Sequence, residues 1–293
     1  MRHAIFLISA ILLLFGCSNN DNDAVQEEQI RELKIKSFTL SKYAPGNGFP
    51  EHTAFFFDED AKISQIHDYR ESNPGKFIQD ISYNDQGLIL NNDWLYVTDN
   101  QTEMFGHIET EYNASNELIE MIEYDANDQQ ENTYHLTHYQ DSIQVVANLN
   151  TTIEEKLTFK FNPNNLLVQQ DVIPADLISF YRKDYFYENG NLIKQQTTIN
   201  SNITEIIYRY DDKINPLYTV LNNSYEQLIS IGRAGWYKFY PNLNYFYSKN
   251  NFTSYEGLSA DDIITYQYND LGYPISGEKV IDDFTLKLTY EYY

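Results

Sequence analysis

Carboxylates are the most abundant side chains in this sequence that could do chemistry. There are 43 Asp and Glu residues in the chain of 293, against 20 Lys and Arg, which gives a formal net charge of −23. The segment from Asp125 to Glu131 has the oxygen-rich composition of a calcium loop, but it lacks the glycine and the twelve-residue spacing of an EF-hand. Turns are rich in Asp and Asn for backbone reasons alone, so we interpret this segment as a solvated turn and expect neither a metal nor a cofactor.

Motifs typical of catalysis are missing from the sequence, which contains no Gly-x-Ser-x-Gly, no His-Glu-x-x-His and no P-loop. His135 and His138 form the one close His pair, and on a strand they would point to opposite faces, which makes them a poor shared ligand set. We therefore expect that the protein is not an enzyme. The competing hypothesis is an envelope hydrolase acting on carbohydrate, which would need two facing carboxylates about 5 to 9.5 Å apart in a pocket.

The densest group of aromatic side chains lies in the interval from Pro216 to Asn251. Its candidate ligand-binding residues are Trp236, Tyr237, Tyr240 and Tyr245. Planar rings at a sheet surface stack well on the faces of sugars, so these residues are one candidate for a carbohydrate platform. The alternative, which we favour, is an aromatic plug that covers one end or face of a sheet.

The single Cys of the chain, Cys17, follows an apolar run near the start. Residues 1–16 have the pattern of a secretory signal peptide, because the apolar run from Ala4 to Leu14 is shorter than the roughly 20 residues that a membrane-spanning helix needs. The sequence Leu14-Phe15-Gly16-Cys17 resembles the bacterial lipobox, and the resemblance implies that Cys17 is lipidated and becomes the mature N-terminus. Residues 17–32 are then expected to form a lipid-anchored tether.

The elements that must position these residues are strands. From about Leu33 onward, apolar and polar residues alternate with period two, which places them on opposite faces of a strand; the last segment, residues 284–292, is the clearest case. Between Leu217 and Ile231 the apolar spacing instead suits one or two short helices. We predict an all-β fold, an antiparallel meander of β-hairpin repeats forming an extended curved sheet, with short helices near residues 217–231. Residues 33–293 are predicted to form a single β-repeat domain.

An internal repeat marks the predicted hairpins. In each copy an aromatic residue ends one strand, an Asn- or Asp-rich turn follows, and a second apolar strand begins. The clearest copies start at Tyr83, Tyr112, Phe161, Tyr187 and Tyr268, and weaker ones start at Phe57, Tyr124 and Tyr210. Asn, Asp and Gly recur in the turns because they tolerate the positive φ values that tight turns require.

This repeat resembles the YD repeat of RHS-type surface proteins. It is more similar still to uncharacterised bacterial lipoproteins built from divergent YD-like hairpins, in which a Tyr-x-Tyr-Asp-Asp-Lys-x-Asn-Pro segment precedes the final repeats. Here that segment runs from Tyr208 to Pro216. The resemblance extends from about Phe55 to Tyr293 and implies an extended antiparallel sheet, but it implies no activity.

Charge and composition limit the partners of the protein. A net charge of −23 excludes a nucleic-acid binder that relies on bulk positive charge, whereas 26 Tyr and 17 Phe supply enough buriable side chain for a folded domain. An acidic surface is repelled by anionic lipid, so we expect membrane contact through the acyl chains at Cys17 alone. We expect an outer-membrane lipoprotein, in the periplasmic or the cell-surface leaflet. Its expected role is non-catalytic binding or scaffolding, with a glycan or an envelope protein as partner.

Overall fold

The computed structural model describes residues 33–43, 50–149, 154–173, 180–218, 248–256, 263–281 and 284–293. These residues form one sheet of eighteen strands. Numbered in chain order, the strands are β1 (Ile35–Tyr43), β2 (Glu51–Phe57), β3 (Ile63–Arg70), β4 (Lys76–Tyr83), β5 (Ile89–Val97), β6 (Thr102–Tyr112), β7 (Leu118–Asp125), β8 (Gln130–His138), β9 (Ser142–Leu149), β10 (Glu154–Phe161), β11 (Leu167–Ile173), β12 (Tyr181–Glu188), β13 (Asn191–Ile199), β14 (Asn202–Ile214), β15 (Asn250–Glu256), β16 (Thr265–Tyr268), β17 (Pro274–Ile281) and β18 (Phe284–Tyr292). Within this part of the chain, no helix is long and apolar enough to span a bilayer.

The strands follow one another as an antiparallel meander. Each strand from β1 to β14 pairs with the next, and β17 pairs with both β16 and β18. β18 then pairs with β1, so the sheet curves back on itself and is nearly closed. Between β15 and β16 the backbone N–H of Ile264 donates to the carbonyl of Thr253 at 2.6 Å. The predicted fold, an antiparallel meander of hairpins in an extended curved sheet, is confirmed.

One face of the sheet, here called the inner face, carries the hydrophobic core. Tyr290, Phe38, Phe55 and Ile66 stand directly opposite one another across β18, β1, β2 and β3, and none is more than 8% exposed. The same core continues around the sheet through Ile108, Met121, Tyr134, Val145, Leu157, Phe159, Tyr185 and Tyr208. Burying these rings and aliphatic side chains removes a large apolar area from water, which is the main stabilising contribution to the fold.

Six of the eight predicted Asn- and Asp-rich turns share one geometry, whereas the copy at Tyr187 is a two-residue turn in which Asn189 and Gly190 both have positive φ. At Asn84, the side-chain Oδ1 accepts the backbone N–H groups of Gln86 and Leu88, both at 3.0 Å, and Gly87 adopts φ +78°. The same two hydrogen bonds recur at Asp58, Asn113, Asp125, Asn162 and Asn269. This is a hairpin corner built on a type I turn, followed by a residue with positive φ and a β-bulge.

One predicted turn is contradicted by the structure. The weaker copy at Tyr210 is wrong as a turn, because Tyr210 and Asp211 lie inside β14, which continues to Ile214. The Asp211 side chain accepts the backbone N–H of Lys213 at 2.9 Å, and it also accepts the backbone N–H of Asn251 on the neighbouring strand β15. Of the predicted short helices, Leu217 and Tyr218 are helical, and residues 219–231 lie outside the described residues.

Candidate functional site

The site residues predicted from sequence all fall outside the described residues: Cys17, Trp236, Tyr237, Tyr240 and Tyr245. Residues 216–249, here called the insertion, lie between β14 and β15. The structure describes the two ends of the insertion, which we call its base.

Asp211 binds the two strands beside the insertion. Its carboxylate accepts the backbone N–H of Asn251 at 3.1 Å, the side-chain amide of Asn251 at 3.3 Å, and the hydroxyl of Tyr268. Burial and this hydrogen bond to Asp211 raise the pKa of the Tyr268 hydroxyl. Asp211 therefore ties β14 to β15 and to β16, on either side of the gap in the pairing.

Asn215 completes the base by binding both ends of the insertion. Its side-chain Nδ2 donates to the carbonyl of Ser248 at 2.8 Å, and its Oδ1 accepts the N–H of Leu217 at 3.0 Å. Ser248 is fully buried, and its hydroxyl accepts the N–H of Leu192 on β13. The Asp-Asp-Lys-Ile-Asn-Pro segment from Asp211 to Pro216 is therefore a clasp, because it holds the two ends of the insertion side by side on the sheet.

A second candidate site lies within the described residues, on the inner face of β3 to β6. Asp68, Phe77, Tyr96 and Glu103 stand directly opposite one another on four consecutive strands. Phe77 is 37% exposed, and Glu103 is also exposed. The row therefore presents two aromatic rings between two carboxylates. We call Phe77, Tyr96 and Phe105 the aromatic platform.

Phe105 joins the platform through a β-bulge. Trp94 pairs with Gly106 and Leu95 with Met104, so Phe105 is the extra residue between two register positions. Its ring lies 5.4 Å from that of Phe77, and it is 49% exposed. Gly106 makes the bulge possible: its φ is +155°, and a Cβ there would lie 2.3 Å from the carbonyl oxygen of Tyr124.

Tyr96 is held in place by the turn between β3 and β4. Its hydroxyl donates to Oδ1 of Asn73 at 3.2 Å, and its ring covers Gly75, where a Cβ would lie 2.2 Å from the hydroxyl oxygen. The ring centroids of Tyr96 and Phe77 are 4.9 Å apart. The platform is therefore positioned before any ligand arrives.

Beneath the platform lies a polar floor made of Gln79, Asn92 and Trp94. Gln79 stands opposite Trp94, is 2% exposed and accepts a hydrogen bond from Nδ2 of Asn92 at 3.3 Å. Three buried atoms of the floor have no hydrogen-bond partner among the described residues: Gln79 Nε2, Asn92 Oδ1 and Trp94 Nε1. Leaving such a buried group unpaired costs about 1–3 kcal/mol, so the floor has hydrogen-bonding capacity that the protein itself does not use.

Asp68 is the partly buried carboxylate of the row. Its Oδ1 accepts the hydroxyl of Thr53 at 2.5 Å. Burial raises the pKa of Asp68 to about 6, an effect that the hydrogen bond from Thr53 only partly offsets. Asp68 is therefore mostly ionised at neutral pH and takes up a proton under mildly acidic conditions.

The other candidate groups from the sequence have structural partners. The carboxylate of Asp125 accepts the N–H groups of Gln129 and Asn127, which lowers its pKa. His135 and His138 do point to opposite faces, with His135 Nδ1 3.0 Å from Glu120 Oε2 and His138 Nε2 bonded to the carbonyl of Leu118. Across the described ranges, no group of three or more His, Cys, Asp or Glu side chains is placed to hold a metal ion.

A groove of about 540 Å³ opens beside the gap between β15 and β16. Its walls include Tyr208, Arg209, Thr253 and Ile263. Of the described residues that line it, Glu188 carries a carboxylate, whereas glycoside cleavage by an acid pair needs two.

Comparison with known proteins gives structural similarity without a family. No family model matches the sequence, and no curated protein matches it. Among solved structures, a porin-like protein from Bacteroides uniformis ATCC 8492 aligns over 88% of this chain and 98% of its own, with 10% identity and a TM-score of 0.49. A porin-like protein from Bacteroides vulgatus ATCC 8482 aligns over 89% and 99%, with 11% identity and a TM-score of 0.35.

A TcdB2-TccC3-Cdc42 structure aligns over 82% of this chain but 14% of its own, with 14% identity and a TM-score of 0.33. At these identities and TM-scores the likeness says nothing about activity.

Proposed function

We propose that the protein is a lipid-anchored outer-membrane protein with a non-catalytic binding or scaffolding role at the cell envelope. The observation that carries the non-catalytic part is the inner face, where one continuous core of aliphatic and aromatic side chains extends around the described sheet. Such a core makes the sheet a rigid support for the surfaces that it presents. The anchor itself rests on Cys17 and the apolar run before it.

The Cys17→Ser variant tests the anchor. Wild-type protein should sediment with the outer membrane, and the variant should move to the soluble fraction, because one seryl side chain cannot carry the acyl chains that hold the protein there. The measurement is membrane fractionation followed by immunoblotting. Ser18→Ala is the matched control and should leave the fractionation unchanged; membrane retention of Cys17→Ser would contradict the proposal.

The second candidate function is carbohydrate binding through the aromatic residues 236–247. The clasp favours it, because Asp211 and Asn215 hold the two ends of the 216–249 insertion, which contains these residues, side by side on the sheet. In this case Trp236→Ala should lower binding to glycans. A Trp236→Ala variant that binds glycans as well as wild type would remove this candidate.

A further inference from the structure

The aromatic platform and its flanking carboxylates have the composition of a ligand site. Neighbouring strands lie about 4.8 Å apart, so Asp68 on β3 and Glu103 on β6 are about 14 Å apart, with the rings of Phe77 and Tyr96 between them. Contiguous exposed apolar side chains mark interaction sites more often than scattered ones do, and here the bulge at Phe105 adds a third ring to the same face.

The polar groups around the platform include both donors and acceptors. Asp68 and Glu103 accept hydrogen bonds when they are ionised, whereas Gln79 Nε2 and Trp94 Nε1 only donate and have no partner in the part of the chain that the structure describes. A cationic ligand would pair with the carboxylates and the rings, but it would leave the donors unused. A hydroxyl group both donates and accepts, so a polyhydroxylated ligand matches the whole set.

We propose that the inner face of β3 to β6 binds a neutral oligosaccharide, whose apolar faces contact Phe77, Tyr96 and Phe105 and whose hydroxyls bond to Asp68 and Glu103. A span of about 14 Å between the carboxylates suits several linked sugars better than one. The inference rests on the proposed binding role, but it is independent of the lipid anchor and of residues 236–247.

The test is a glycan array probed with the detergent-solubilised full-length protein. Wild type should bind neutral oligosaccharides, and Phe105→Ala and Glu103→Gln should each weaken binding by about tenfold, equivalent to about 1.4 kcal/mol. Phe186→Ala is the matched control, because Phe186 is a similarly exposed ring, at 40%, on the opposite face of the sheet, and its loss should leave binding unchanged. Circular dichroism checks that each variant is folded.

Four results would overturn the proposal. The first is an array on which wild type binds no glycan. The second is glycan binding that Trp236→Ala abolishes and Phe105→Ala leaves intact, which would assign binding to the insertion. The third is competition by tetramethylammonium chloride but not by sodium chloride, which would assign the platform to a cation. The fourth is an equal weakening of glycan binding by Phe105→Ala and Phe186→Ala. The array measures binding by solubilised protein, whereas the fractionation measures membrane anchoring. A failed array would therefore leave the Cys17 fractionation result unaffected.

Discussion

At the scale of single residues, Ala61 occupies a strained position in its hairpin corner. It has φ +61°, while the equivalent position in other corners is Gly87, Asn116, Asp128, Asn165 or Gly272. In this left-handed region a residue with a Cβ has a conformational free energy about 1–2 kcal/mol higher than in the right-handed region, whereas glycine has no such penalty. Glycine loses more backbone freedom on folding, which offsets part of the gain. We therefore expect Ala61→Gly to raise the free energy of unfolding by up to about 1 kcal/mol, measured by urea denaturation.

Ala114 provides the control for this substitution. It lies in the corner that starts at Asn113, but its φ is not positive. Ala114→Gly should therefore add only backbone freedom to the unfolded chain and lower stability slightly. Equal destabilisation by the two substitutions would show that strain at Ala61 is absent.

The corners also show what local sequence can predict. The turns that start at Asn84, Asn113 and Asn162 were predictable because the Asn that accepts the two N–H groups and the residue with positive φ are close together in sequence. Tyr210-Asp211 has the same residue types, but it lies inside β14 instead of starting a turn. Its Asp accepts the N–H of Lys213, as in a corner, but it also bonds to Asn251, 40 residues away on β15, and no local pattern reveals that partner.

At the scale of elements, consecutive hairpins are joined by one recurring hydrogen bond. The hydroxyl of Tyr83, at the end of β4, donates to the carbonyl of Ile63, at the start of β3, at 2.7 Å. Tyr210 and Tyr292 donate in the same way to Leu192 and Pro274, and Thr110 and His138 make the corresponding contacts to Ile89 and Leu118. Tyr83 and Tyr210 therefore pack their rings against the core, and each satisfies a carbonyl on the preceding strand.

Removing this hydroxyl should have a measurable effect. We expect Tyr83→Phe to lower the free energy of unfolding by about 1 kcal/mol, because the buried carbonyl of Ile63 loses its side-chain donor. Urea denaturation of the variant measures the change. Tyr139→Phe is the control, since Tyr139 is 58% exposed, and it should have almost no effect. Identical stabilities of Tyr83→Phe and wild type would mean that the bond contributes nothing net.

Strand existence was predictable from the period-two pattern, but the candidate site was not. In β18, Leu288 and Tyr290 are buried and Glu291 is exposed, as the alternation predicts. In β6, the bulge at Phe105 breaks the alternation. Gly106 permits the bulge because it has no Cβ to collide with the carbonyl oxygen of Tyr124. A single sequence does not show that Gln79 and Asn92 are buried polar residues, since their register with β5 and β6 is set by the whole sheet.

At the scale of the whole molecule, β1 joins the two ends of the meander. It pairs with β2 on one side and with β18 on the other, which brings residues near 38 and near 290 into contact. No local pattern encodes a pairing between strands about 250 residues apart; it follows from the accumulated curvature of all the strands between them. The sequence therefore predicted the meander, and the structure added its near-closure.

Phe38 is the residue through which this closure can be tested. It is 1% exposed, and its ring lies 6.0 Å from Phe55 on β2 and 5.1 Å from Tyr290 on β18. Phe38→Ala should lower the free energy of unfolding by about 3–5 kcal/mol, the usual cost of removing a buried Phe ring. Phe186→Ala, which truncates an exposed ring, should change it by less than about 1 kcal/mol.

Which strands lose hydrogen-exchange protection in the Phe38→Ala variant distinguishes a nearly closed sheet from an open array of repeats. In an open array each repeat depends only on its neighbours, so damage to β1 would release β1 and β18 and leave the urea midpoint of the rest unchanged. In a sheet joined through β1, the amides of β2 to β9 should also lose protection, in the same transition as those of β18. Hydrogen exchange of the Phe38→Ala variant measures both. Loss confined to β1 and β18 would mean that the near-closure adds no cooperativity.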